Sequence, residues 1–347
     1  MGPASVDVRS RSDETERMGS RAPDATILPP EAPAVRWRPS RTQVAWGIWA
    51  TVFGVTTWRW GMPRSRPQLF LILGLALLAA TAGNRRGWAR VVRDWFPLFV
   101  ILSAYDIVRG QAQFWGTVHI VPQINADRWL FGGVPTVWLQ HHLFTPGRPH
   151  WWDYGVFFVY LSHFFVALIV AAVLWKVNHA LFRRFAAFFV ALTLLAFVTY
   201  AAFPAAPPWL ASQSEHLAPT ARIIDEMWSH IALRGGAQTL SATSNLANPV
   251  AAMPSLHAAY PMLLLLFFWR RAGRWRWLLA LYPLAMGFAL VYTAEHYVID
   301  VLFGWLYAAV VYFVGCRIAE RWATRRSRSQ VERALIDISP AAVNPVA

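Results

Sequence analysis

The sequence is short of charge, of lysine and of cysteine. Charged residues are 14% of the 347 positions, well below the roughly one quarter usual in soluble domains. With 56% hydrophobic residues, this excludes an ordinary soluble domain and leaves room for many membrane spans. Cys316 is the single cysteine, so there is no internal disulfide and no cysteine metal cluster; at the end of the last apolar run it reads as packing. Lysine occurs once, at Lys176, and arginine carries the rest of the positive charge. The first 40 residues hold no signal-peptide core. They are polar and proline-rich, which predicts a disordered cytoplasmic tail followed by an uncleaved first anchor.

What the chain does have is long apolar runs. They lie near Gln43–Trp60, Gln68–Ala82, Trp95–Val108, Tyr154–Trp175, Phe185–Phe203, Ser255–Trp269, Trp277–Thr293 and Tyr297–Cys316. A span needs about 20 residues. Eight runs therefore predict an all-α, polytopic membrane helical bundle of about eight spans, some of the shorter ones tilted or re-entrant. The expected division is a tail at 1–40, two N-terminal spans in 41–94, the main membrane domain at 95–316 and a basic cytoplasmic tail at 317–347. Twenty tryptophans suit aromatic belts at the two interfaces.

A net charge of +14 raises the question of nucleic acid, but the arginines sit in short loops between apolar runs, which is an orientation signature. Counted from a cytoplasmic N-terminus, the inside loops hold Arg85, Arg86, Arg90 and Arg93, then Lys176, Arg183 and Arg184, then Arg270, Arg271, Arg274 and Arg276. The first outside loop, with Arg59, Arg64 and Arg66, is the exception. This places both termini in the cytoplasm of a multi-pass cell-membrane protein, with no nucleic-acid partner. His257 and His296, with the long loops 109–153 and 204–253, then fall together on the outer face.

Those histidines lie in Met253-Pro254-Ser255-Leu256-His257 and in Glu295-His296-Tyr297-Val298-Ile299-Asp300. Proline favours a helix start, so Pro254 predicts free N–H groups at the mouth of a helix, a place that attracts phosphate; Ser255 adds a hydroxyl. Pro261 removes the donor to the His257 carbonyl and predicts a loosened turn there. Asp300, four residues after His296, is expected to share its helix face, hold its tautomer and leave the far nitrogen as a nucleophile. Gly304 would admit a second helix closely. Taken alone, His257 also suits an interfacial helix end, and His296–Asp300 a structural pair.

Together the two stretches resemble the second and third signature motifs of the type 2 phosphatidic acid phosphatase superfamily, P-S-x-H and H-x-x-x-D. With Phe203-Pro204-Ala205-Ala206-Pro207-Pro208-Trp209, they resemble the branch of fungal inositol phosphorylceramide synthase; the likeness covers about 95–316. It implies a metal-independent enzyme without cofactor that acts on membrane lipids as both substrate and acceptor. In those terms His296 is the nucleophile that becomes phosphohistidine, Asp300 orients it and His257 protonates the leaving alkoxide. The implied reaction moves an inositol phosphate-like headgroup to a lipid or polyprenol alcohol, with hydrolysis of a lipid phosphate as the alternative.

The first motif of that superfamily, a lysine followed by Arg-Pro, is absent. Lys176 lies at the wrong end of its span, and the arginine expected six residues before His296 is Leu290. A transferred phosphoryl group still needs positive charge on its oxygens. Arg109, Arg128, Arg148, Arg222 and Arg234 are the outer-face candidates. Arg128, in a compact interfacial segment, is the chosen phosphate-binding residue beside Ser255, while His141 and His142 receive no role. Pro204–Trp209 is expected to shape the pocket rim, and loop 210–252 to act as a lid or acceptor-binding segment. The rival readings are a proton-coupled transporter, a haem protein ligated by His257 and His296, and a metallohydrolase.

Overall fold

The computed structural model describes residues 39–60, 66–111, 116–231 and 250–338, and each of the eight apolar runs forms a helix. The first three are α1 (Arg41–Trp60), α2 (Arg66–Ala80) and α3 (Arg85–Gln111). Two short helices follow, α4 (Val121–Phe131) and α5 (Pro135–Leu143), then the long pair α6 (Trp151–Val177) and α7 (His179–Ala202). Two more short ones, α8 (Pro208–Gln213) and α9 (Ile223–Ile231), precede the last three, α10 (Leu256–Phe268), α11 (Arg276–Tyr292) and α12 (Val298–Ile338). Of these, α6, α7, α11 and α12 supply stretches long and apolar enough to cross a membrane, while α2 and α10 are shorter apolar helices.

Local chemistry sets the boundaries. The His150 N–H donates to the Asp153 carboxylate at 2.7 Å to open α6, and Asn178 accepts from the Leu181 N–H at 3.0 Å to open α7 one residue after α6 ends. A one-residue joint forces α6 and α7 to run antiparallel. The bundle core is aliphatic and aromatic, with Leu192, Ala196 and Leu263 fully buried. Two expected boundaries are not helix ends. Residue 94 lies inside the continuous α3, and the apolar run ending at Cys316 continues as helix to Ile338.

Chain direction puts the ends of α7 and α11 and the starts of α6, α10 and α12 at one end of the bundle. Lys176, Arg184, Arg271 and Arg274 mark the opposite end. At the first end, two isolated parallel bridges, His119 to Ala205 and Ala205 to Ala251, tie the segments before α4, after α7 and before α10. The Pro204–Ala206 strand is thus the middle of a small clamp. Its hydrogen bonds include Ala206 N–H to the His119 carbonyl at 2.9 Å and Ala205 N–H to the Val250 carbonyl at 2.7 Å.

α10 and α12 pack most closely where Gly304 faces Ser255. A methyl group built on Gly304 would strike the Ser255 carbonyl oxygen, a backbone atom with no freedom to rotate away. Gly304→Ala should therefore part the two helix starts and destabilise the fold by about 1–3 kcal/mol, the usual range for overpacking a tight site. A lowered thermal unfolding midpoint in detergent is the expected measurement.

Candidate functional site

Two helix N-termini meet at this end of the bundle. Ser255 is the N-cap of α10: its hydroxyl oxygen accepts from the Ala258 N–H at 3.3 Å, and its own N–H donates to the Asp300 carbonyl at 3.0 Å. The α10 helix begins at Leu256 and runs through Pro261 without interruption, so the loosened turn expected at His257 is not an end of the helix. Ser255 is fully buried; its hydroxyl oxygen is committed to the cap, and only the hydroxyl hydrogen is left to donate.

The second N-terminus carries His296 and Asp300, but not on one helix face. α12 starts at Val298, so His296 belongs to the loop and Asp300 to the first turn. The Asp300 carboxylate reaches back to accept from the Tyr297 N–H at 2.9 Å, one half of a capping box. Its same oxygen stands 3.7 Å from His296 Nδ1. That contact is electrostatic and too long for a closed hydrogen bond, yet it points Nδ1 at a carboxylate and leaves Nε2 turned elsewhere. The His257 and His296 ring centroids are 5.7 Å apart, close enough to flank one reacting atom.

The loop before His296 is held in a tight form. Ala294 ends α11 with a φ of +62°, a left-handed value unusual for a residue with a side chain. This turn brings the Glu295 N–H to the Leu290 carbonyl at 3.0 Å. Leu290, standing where a phosphate-binding arginine is usual in the resembling family, is fully buried.

Sequence reasoning passed over Asp127. It is fully buried on α4 and accepts from the Val298 N–H at 3.1 Å and the Ile299 N–H at 3.0 Å, capping α12 from another part of the chain. Burial pushes its carboxyl up to about 6, against the opposing pull of those two N–H donors. Its neighbour Arg128, the chosen arginine, is exposed on the same helix. Asp127 gave no sequence signal, because it contacts residues 171 and 172 positions away.

Arg222 lies on the other flank of the His296 loop. Its Nε donates to Glu295 at 2.7 Å and a terminal nitrogen donates to the second carboxylate oxygen at 3.3 Å, a forked pair beside His296. The guanidinium also covers the Trp209 ring at 4.8 Å. Burial works against the Arg222 charge, but the Glu295 carboxylate more than offsets it and raises the guanidinium pKa. Trp209 is itself tied to this loop, its backbone N–H donating to the Ala294 carbonyl at 3.2 Å, which brings the end of the Pro204–Trp209 segment against it. Gln140 on α5 braces the same region, bridging the Ala221 and Tyr292 carbonyls at 2.9 and 2.8 Å.

The remaining candidates lie elsewhere. His142 packs on Trp138 and His141 beside it; Arg148 is exposed in a loop; Lys176 is at the far end of α6. The Arg109 side chain, Arg234 and residues 232–249 of the expected lid lie outside the described residues. The first part of that loop is not free: Ile223, Ile224 and Met227 of α9 are buried against α6.

Asp127 supplies a pH test. A carboxyl whose folded pKa is raised stabilises the fold at low pH and loses that contribution as pH climbs through the folded value. Thermal stability in detergent should thus decline from about pH 4 to about pH 6. The decline should be smaller in Asp127→Asn when the two melting curves are compared.

Comparison with known proteins agrees with this geometry. The family model described as PAP2 superfamily matches residues 124–314, which include Asp127, both histidines and Asp300. The phosphoinositol dihydroceramide synthase of Bacteroides thetaiotaomicron is 32% identical over 255 residues, covering 70% of this chain and 80% of that protein. No solved structure matches the chain. Two imidazoles and a carboxylate at paired helix starts within a membrane bundle, inside a match over more than half the chain, place this protein in the PAP2 superfamily, among membrane enzymes that act on lipid phosphates.

Proposed function

We propose that the chain transfers a phospho-headgroup of the inositol phosphate class from a phospholipid to a lipid or polyprenol alcohol, through a phosphohistidine at His296. The observation that carries this reading is the 5.7 Å approach of His257 to a His296 whose other side faces Asp300. The relative named phosphoinositol dihydroceramide synthase supports the headgroup and acceptor class.

In the first half-reaction His296 Nε2 attacks phosphorus, the bond from phosphorus to the glycerol oxygen breaks, and His257 gives that oxygen a proton. In the second, the acceptor hydroxyl passes its proton to His257 and attacks phosphorus while the phosphorus–nitrogen bond breaks. Asp300 keeps the His296 tautomer and balances its charge. The Ser255 hydroxyl and Arg128 bind phosphate oxygens. Arg222, at the opposite flank of the loop, adds the charge that the missing lysine motif would supply, drawn from Glu295 to the substrate. The chemistry asks for no metal and no cofactor. The distribution of arginines supports a site at the outer face of the cell membrane, with both termini in the cytoplasm.

The test is to incubate purified protein and His296→Ala with phosphatidylinositol and a ceramide, and separately with a phosphatidate, in chelator, following both lipid products and free phosphate by mass spectrometry. Headgroup-transferred lipid should form with the parent and fall by about a thousandfold or more in His296→Ala, as for loss of a covalent nucleophile. Free phosphate released from a lipid monoester, without transfer, would make the chain a phosphatase instead. Products independent of His296 would end the phosphohistidine reading. Arg222→Gln should lower kcat/KM by about ten- to a hundredfold in the same assay, the range for losing one oxyanion donor.

A further inference from the structure

His163 is a buried histidine in the interior of α6, only 5% exposed, in a run that apart from Ser162 is apolar or aromatic. Its ring centroid lies 4.0 Å from that of His257, with the planes inclined by 33°. It belongs to a ladder of rings. Phe189 stacks on Tyr260 at 4.3 Å, Tyr260 on His163 at 5.1 Å, and beyond His257 the ladder ends on Tyr160 at 5.2 Å. The Tyr260 hydroxyl is fixed to Thr193 Oγ1 at 2.7 Å, which anchors the inner end. His257 is thereby held between two rings of α6 with one edge toward His296.

Packing alone does not ask for a histidine here. A phenylalanine would continue the ladder with more apolar area and without the cost of placing an ionisable ring in an apolar span. What a second imidazole adds is electrostatic. Two imidazoles in contact, one buried and one half-buried, do not both readily carry a proton, because like charges at that distance repel. The neighbouring titratable groups are Tyr160 on α6, Tyr260 on α10, and His296 with Asp300 at the start of α12. From α7, Tyr200 donates to the Pro254 carbonyl at 2.6 Å. Of these, His163 and His296 are the imidazoles whose rings pair with His257, and His163 is the nearer, at 4.0 Å against 5.7 Å.

We propose that His163 is a positioning residue for the transfer reaction, fixing the plane of the His257 ring and confining the exchangeable proton to His257. The role rests on His257 as the acid and base of the reading above. During a turnover His257 gives up a proton to the leaving oxygen and regains one from the acceptor. A neutral His163 in contact with it holds the ring still through both steps and takes no proton itself.

Two measurements test this. In the first, the parent protein carrying nitrogen-15 histidine is titrated in detergent and observed by NMR, with signals assigned through His257→Gln and His163→Gln. His163 should stay neutral while its signal moves with the midpoint of His257; a separate titration of its own, or no response, overturns the proposal. This arm needs no turnover, so it stands or falls even if no headgroup transfer is found and the functional reading fails. In the second, His163→Phe keeps the ring but removes both nitrogens. Its kcat should fall about tenfold or more with KM nearly unchanged and the pH profile displaced, and His163→Gln should recover part of the loss. A His163→Phe enzyme with parental kcat and pH profile would make the residue a packing ring and overturn the proposal.

Discussion

The hydrogen bond from the Ser255 N–H to the Asp300 carbonyl, 3.0 Å long, joins the starts of two helices that lie 45 residues apart in sequence. The rest of the site depends on it. It places the histidine that follows Ser255 opposite the histidine that precedes Asp300, and it is possible only because Gly304 presents no side chain to the Ser255 carbonyl. Backbone contact of this kind is rigid, since neither partner has a rotamer to change. The spacing of the two backbone segments that carry the imidazoles is therefore set at this joint. Groups that carry out proton and phosphoryl transfer gain most from such fixed placement.

Around this joint the site is built from pairs that each serve a helix end. Asp300 reaches back to the Tyr297 N–H, Asp127 takes the next two N–H groups, and Ser255 caps its own helix. Every free donor so occupied is one fewer unsatisfied polar group near the bilayer. Glu295 and Arg222 add an ion pair on the outer flank, where it stays partly open to water. Oppositely charged groups thus flank the His296 loop on both sides.

The helices were legible from the apolar runs, because a membrane span is written continuously along the chain. His257, His296 and Asp300 were legible for a similar reason: each motif is local, and its spacing survives folding. The error over the His296–Asp300 helix face came from treating the loop as helix, when α12 starts only at Val298. Asp127 and Arg222 were different. Asp127 lies beside the favoured Arg128, and Arg222 was one arginine of five, yet what defines them is contact across more than seventy residues. His163 did carry a signal, an ionisable residue in an apolar run, but the run was read for its length and not for its exception.

The Asp127 cap has a mechanical side. α4 lies at the end of the bundle with Trp129 and Phe131 exposed by 85% and 54%, a face suited to the headgroup layer of a bilayer. The same short helix grips the first two N–H groups of α12, two residues past His296. A short helix with an exposed aromatic face is thus fastened to the helix start that follows the His296 loop. A displacement of α4 is therefore passed, through one carboxylate, to the helix start beside His296.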